Sequence, residues 1–139
     1  MKTTILLILS ILILSCQSER VTFSDAHSER IEITERFKSL KANEASNSII
    51  YFTSGFSDSL VVKNGKEIIL NKKVETVDQL GFADAIVVEK NKSVEIKVVN
   101  YKRKKIAISK QIKNFKFIYI KKWQNKFEIE YSNKVKWFY

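Results

Sequence analysis

Phe115-Lys116-Phe117-Ile118-Tyr119-Ile120-Lys121-Lys122-Trp123-Gln124-Asn125-Lys126-Phe127-Glu128-Ile129-Glu130-Tyr131 is the stretch on which the fold turns. Gln124-Asn125 suits a two-residue hairpin turn, because such turns favour residues that tolerate positive φ. With that turn, Ile120 opposes Ile129 and Ile118 opposes Tyr131 on one face. On the other face Lys121 opposes Glu128, and Tyr119 meets Glu130. Opposite charges facing each other across a ladder contribute about 0.2–1 kcal/mol each. A one-residue slip would put apolar side chains against charged ones, so the register is well determined. A three-residue turn at 132–134 extends the pattern, pairing Ile129 with Trp137 and Glu130 with Lys136.

The same pattern continues upstream. Residues 48–53, 60–63, 67–70, 85–89, 94–99, 104–109, 115–122, 127–131 and 135–139 read as strands. Turn residues separate them: Asn64-Gly65, Asn91-Lys92, Tyr101-Lys102-Arg103 and Ser132-Asn133. Asn64-Gly65 has the composition of a type I′ turn. Many short strands without long helical crossovers predict an all-β fold, an antiparallel β-sandwich. The passage from Ile49 through Ile86 resembles the edge-to-core passage of an immunoglobulin-like domain. That analogy concerns fold alone, since the Cys–Trp–Cys signature is absent. In residues 29–42, Ile33, Phe37 and Leu40 are spaced as on one helical face behind Ser28, which predicts a short helix. The alternation of Ile31 and Ile33 also fits a short strand.

Composition narrows the class. The chain has 139 residues, with 45% hydrophobic and 12% aromatic, which excludes intrinsic disorder. Zero prolines and 3 glycines exclude collagen-like and linker architectures. A single cysteine excludes an intrachain disulfide and any multi-cysteine zinc site, and one histidine leaves little imidazole chemistry. No metal or cofactor is expected.

The front of the chain reads as an address. Lys2 precedes an apolar run over residues 5–14, broken by Ser10 and too short to span a bilayer as a helix. This is the layout of a secretory signal peptide. Ile13-Leu14-Ser15-Cys16 resembles the lipobox of bacterial lipoproteins, and the chain's sole cysteine stands where that motif needs it. The resemblance implies cleavage before Cys16, lipidation of its thiol and acylation of the new amine. Gln17 then favours transfer to the outer membrane, since an aspartate there resembles an inner-membrane retention signal. No acidic run follows, so a periplasm-facing orientation is expected. The organisation becomes a signal peptide over 1–15, a lipidated tether over 16–28 and a single domain over 29–139.

Charge is unevenly spread. The net is +10 from 25 basic and 15 acidic residues. Residues 90–139 hold fifteen Lys and Arg against three acids, a net of +12. Lys102, Arg103, Lys104 and Lys105 cluster at an expected hairpin tip, and Lys121 and Lys122 stand near another turn. Such asymmetry points to an anionic partner. For a lipid-anchored protein that means an anionic envelope component or an acidic protein, not nucleic acid, for which no module is readable. The bland alternative is a solvated, solubilising surface. The aromatic residues Phe115, Phe117, Tyr119 and Trp123 are left on the outer face of the C-terminal strands. Either the segment around Phe37 and Leu40 covers them or they bind something.

Catalytic constellations are thin. Ser24, Asp25, His27 and Ser28 supply the letters of a serine triad, but on a tether without an oxyanion hole. Asp78 and Asp84 flank Gly81, too few ligands for Ca²⁺. No enzyme is expected. The reading is a small envelope lipoprotein acting as a binding module. The alternatives are an immunity or inhibitor lipoprotein that neutralises a toxin or lytic enzyme, and an accessory subunit of an envelope complex.

Overall fold

The computed structural model describes residues 20–24, 41–42, 44–99, 104–108, 110–124 and 126–136. The strands are β1 (Arg20–Ser24), β2 (Asn47–Phe52), β3 (Ser57–Asn64), β4 (Glu67–Glu75), β5 (Asp84–Glu89), β6 (Val94–Val98), β7 (Lys104–Ala107), β8 (Phe117–Trp123) and β9 (Lys126–Ser132). One 3₁₀ turn, Lys110–Asn114, leads into β8. The fold is all-β. A five-stranded sheet in the order β1-β9-β8-β2-β5 packs on a four-stranded sheet in the order β4-β3-β6-β7.

The core lies between the sheets. Ile50, Phe52, Ile118, Ile120, Phe127, Ile129 and Tyr131 from the first sheet meet Leu60, Val62, Ile96, Val98 and Ile106 from the second. β3 alternates strictly between buried inner and half-exposed outer positions, as a strand with one wet face should. β2 and the first four residues of β8 differ, being buried on nearly every position. That pattern belongs to strands covered on both faces.

The antiparallel expectation holds for the second sheet and needs correction for the first. β2 pairs with β8 in parallel, and β1 pairs with β9 in parallel. β8–β9 and β2–β5 are antiparallel. The mixed sheet is not that of an immunoglobulin-like domain, whose two sheets are antiparallel. The reason is visible in β2, whose Ser-Ile-Ile-Tyr-Phe run suits a central, doubly covered strand with a parallel neighbour.

The β8–β9 register matches the expected one, pairing Ile120 with Ile129, Ile118 with Tyr131, Lys121 with Glu128 and Tyr119 with Glu130. The β3–β4 turn is not Asn64-Gly65 but Gly65-Lys66, because Asn64 still pairs with Glu67. Gly65 takes φ 64° at the first central position, as in a type II′ turn. Asn64 does other work: its buried amide accepts the Glu89 N–H at 2.8 Å and donates to the Glu89 and Ser93 carbonyls, tying this turn to the β5–β6 connection. Folded structure also starts earlier than residue 29. β1 occupies part of the expected tether, where Phe23 stacks on Tyr131 at 5.1 Å and approaches Phe115 at 5.5 Å. The expected strand at 135–139 is not seen at Val135 and Lys136. Residues 137–139, the expected helix up to residue 40, the signal peptide, Cys16 and His27 lie outside the described residues.

Candidate functional site

Strand alternation scatters the expected basic site. Lys121 and Lys122 are neighbours in sequence on β8, yet they leave opposite faces of the sheet. Lys121 points outward, exposed, with its ammonium 5.9 Å from the Trp123 ring. Lys122 points inward, and its ammonium lies 2.6 Å from Oδ2 of buried Asp58 on β3. That pair pins the two sheets together, so Lys122 is corrected from an anion contact to a structural ion. A second inter-sheet pair, Lys72 with Asp84 at 2.8 Å, acts likewise between β4 and β5. Asp84 is thereby engaged with Lys72.

Lys104 and Lys105 split in the same way. Lys104 sits over the Phe127 ring at 4.9 Å, at the mouth of the core. Lys105 stands on the outer face of the second sheet, 3.8 Å from Glu95. Both belong to edge strand β7 rather than to a hairpin tip, and lysine on an edge strand blocks pairing with other chains. Lys102 and Arg103 lie outside the described residues.

The aromatic set divides too. Phe117 and Tyr119 are buried, and the expectation of an aromatic surface holds for Trp123 alone, which is 63% exposed. Phe117 and Tyr119 join Ile49, Ala85 and Ala42 in a second apolar cluster on the outer side of the first sheet. Tyr51 stacks on Tyr119 at 5.2 Å within it.

Beside that cluster lies a cleft of about 410 Å³. Arg20 and Thr22 of β1, Glu128 and Glu130 of β9, and Tyr119 and Lys121 of β8 form its floor, with Thr53, Ser54 and Lys136 at its rim. The period of two brings them together: residues of matching parity on three adjacent strands share one face. Three of the groups in it, Tyr119, Glu130 and Lys136, engage one another. The Tyr119 hydroxyl donates to the Lys134 carbonyl at 3.0 Å and accepts from the Lys136 N–H at 2.9 Å. Burial pushes its ionisation well above the usual tyrosine range, so it stays protonated. The Lys136 ammonium is hydrogen-bonded to Glu130 and lies 5.6 Å from the Tyr119 ring. Glu128 has Arg20 beside it on one strand and Lys121 on the other.

The sequence shows Lys121, Glu128 and Glu130 as cross-strand partners but misses Arg20 and Thr22. Val21 and Phe23 form too short an alternation to announce a strand. Among the described residues no group of three or more His, Cys, Asp or Glu could hold a metal ion. Comparison with protein-family models, curated proteins and solved structures gives no match.

Proposed function

We propose that this chain is a small lipoprotein of the bacterial envelope, anchored through Cys16, whose sandwich works as a binding module. The N-terminal Ile13-Leu14-Ser15-Cys16 motif supports the anchor. The observation that carries binding over chemistry is the pairing within the cleft. Tyr119 is saturated by backbone groups and Glu130 by Lys136, while Glu128 lies between two cations. A general acid or base needs a group free to move a proton, and this cleft holds Tyr119 and Glu130 in fixed partnerships. What it offers instead is fixed charge of both signs beside threonine and serine hydroxyls. Such a floor suits a polar partner carrying its own anionic groups, which Arg20 and Lys121 would meet.

Two measurements test this reading. Fatty-acid labelling of wild type and Cys16→Ala should show label only in wild type, and unchanged label in the variant refutes the anchor. Binding of envelope extracts or acidic proteins should fall in an Arg20→Ser, Lys121→Ser variant. It should weaken with salt as well, since exposed contacts are screened over about 8 Å at physiological ionic strength. Equal binding in both proteins removes the cleft as the contact.

A further inference from the structure

The two ends of the sandwich are unlike. β1 begins at the end that carries the β8–β9 turn, because Arg20 pairs with Glu128, two residues from the start of β9. The same end carries the β4–β5 loop and the exit of β6. Phe52 pairs with both Asp84 and Ile120, and Val98 pairs with Lys104, whose ammonium lies over Phe127. Exposed large apolar side chains collect there. Trp123 is 63% exposed, and Val77, Leu80 and Val99 are each 49% exposed. Apolar side chains that contribute nothing to a core call for an explanation when they share one end of a domain.

Basic residues surround them. Lys121 and Lys126 flank Trp123 on the hairpin, both exposed, and Arg20 stands on the neighbouring strand. Of the acids at this end, Glu75 pairs with Lys73 at 3.1 Å, and Glu128 has Arg20 and Lys121 as its cross-strand neighbours. Asp78 is exposed. Tryptophan with lysine alongside is the composition favoured where protein meets lipid headgroups.

Chain length fixes which end faces the membrane. Three residues lie between Cys16 and Arg20, so four Cα–Cα steps give a reach of at most about 14 Å when extended. A strand of eight residues such as β3 is about 26 Å long, so the opposite end of the sandwich stays clear of the bilayer.

We infer that the end of the sandwich where β1 begins docks on an anionic phospholipid surface, with Trp123 and Leu80 entering the headgroup layer and Arg20, Lys121 and Lys126 meeting its phosphates. This orientation rests on the anchor at Cys16. Apolar insertion and basic contacts then orient a domain that the acyl chains on Cys16 hold at the membrane.

The test uses the mature lipidated protein carrying Trp137→Phe, so that Trp123 is the sole indole. It is reconstituted in vesicles of phosphatidylcholine mixed with phosphatidylglycerol, some with brominated acyl chains. Mass spectrometry of the N-terminal peptide reads the anchor, and Trp123 emission reads the docking. Docking predicts a blue-shifted emission, quenched by brominated lipid and shielded from aqueous iodide. A Lys121→Glu, Lys126→Glu variant, changed at two exposed positions, should lose the lipid quenching while keeping its circular dichroism spectrum. Vesicles of phosphatidylcholine alone should reduce it. A lipidated protein whose Trp123 remains iodide-accessible and unquenched overturns the docking and leaves the anchor standing. Absence of lipid on Cys16 overturns the anchor and this orientation together.

Discussion

The outer faces of the two sheets are built from opposite materials. On the five-stranded sheet, Ile49, Phe117 and Tyr119 are buried although they point away from the central core. On the four-stranded sheet the corresponding positions carry Lys63, Glu95, Lys97 and Lys105, all at least partly exposed. Glu95 is hydrogen-bonded to by Lys97 and lies near Lys105, at 2.9 and 3.8 Å. Water can satisfy that second surface by itself, and Lys105 on edge strand β7 keeps that edge from pairing elsewhere. The contrast separates two uses of the same strand chemistry. One sheet supplies a solvated back, and the other devotes apolar area to a layer outside the main core, next to the cleft.

Substitutions at matched positions should expose the difference. Phe117→Ala empties a fully buried site on the outer side of the first sheet and should cost about 3–5 kcal/mol in urea unfolding. Lys97→Ser, on the outer side of the second, should stay within about 0.5 kcal/mol. If the two cost the same, the outer cluster carries no packing energy and the contrast fails.

A second pair of variants sharpens the comparison to adjacent residues. Lys122→Met strands the Asp58 carboxylate, which is 4% exposed against 10% for Lys122, without its partner. It should cost about 3 kcal/mol, near the lower end for a broken buried pair. Lys121→Met, one residue earlier on the outer face, should change stability by less than about 0.5 kcal/mol. Asp58→Leu combined with Lys122→Met should recover most of the loss, because an apolar pair needs no desolvation.

The same pair of lysines shows how far the sequence could be read. The β8–β9 register was legible because alternation, turn and charge pairing agree in one local hairpin. That register already places Lys122 on the inner face with Ile118 and Ile120. Reading consecutive lysines as one patch ignores the period of two, and the error repeats at Lys104 and Lys105. The partners of β2 and β1 were not legible. Parallel pairing joins segments far apart in the chain, β2 to β8 and β1 to β9, and leaves no turn to mark it. Missing β1 also hid Arg20 and Thr22 and so concealed the cleft. The burial of Phe117 and Tyr119 was posed as a choice that alternation alone cannot make.

Tyr119 stands at the border between the buried cluster and the cleft, and its hydroxyl should register in both stability and pH. Tyr119→Phe leaves the Lys134 carbonyl and the Lys136 N–H without that partner, a loss of about 1–2 kcal/mol at neutral pH. Burial raises the ionisation of both Tyr119 and Tyr51 above 10.0. Above that pH the unfolded chain releases phenolic protons that the folded chain retains, so stability falls as pH rises. The variant lacks the Tyr119 share of that fall, and its deficit against wild type should narrow at about pH 11. A deficit that stays constant across the alkaline range would mean that Tyr119 ionises freely in the folded state.

The smallest effect belongs to the solvated back. Hydrogen bonding from Lys97, with Lys105 and Lys63 nearby, holds the Glu95 carboxyl below its ordinary value of 4.5. A carboxylate favoured in the folded state stabilises it above the unfolded pKa, and that contribution is lost as pH falls through the folded one. Glu95 is open to water, so the contribution is screened, and Glu95→Gln should barely flatten the acid limb of a stability profile. In 1 M salt the screening length shrinks to about 3 Å, and the two profiles should coincide. An acid-limb difference that survives high salt would show the charge ladder of the second sheet to be structural. The two outer faces would then differ in material but not in the part they play in holding the sandwich together.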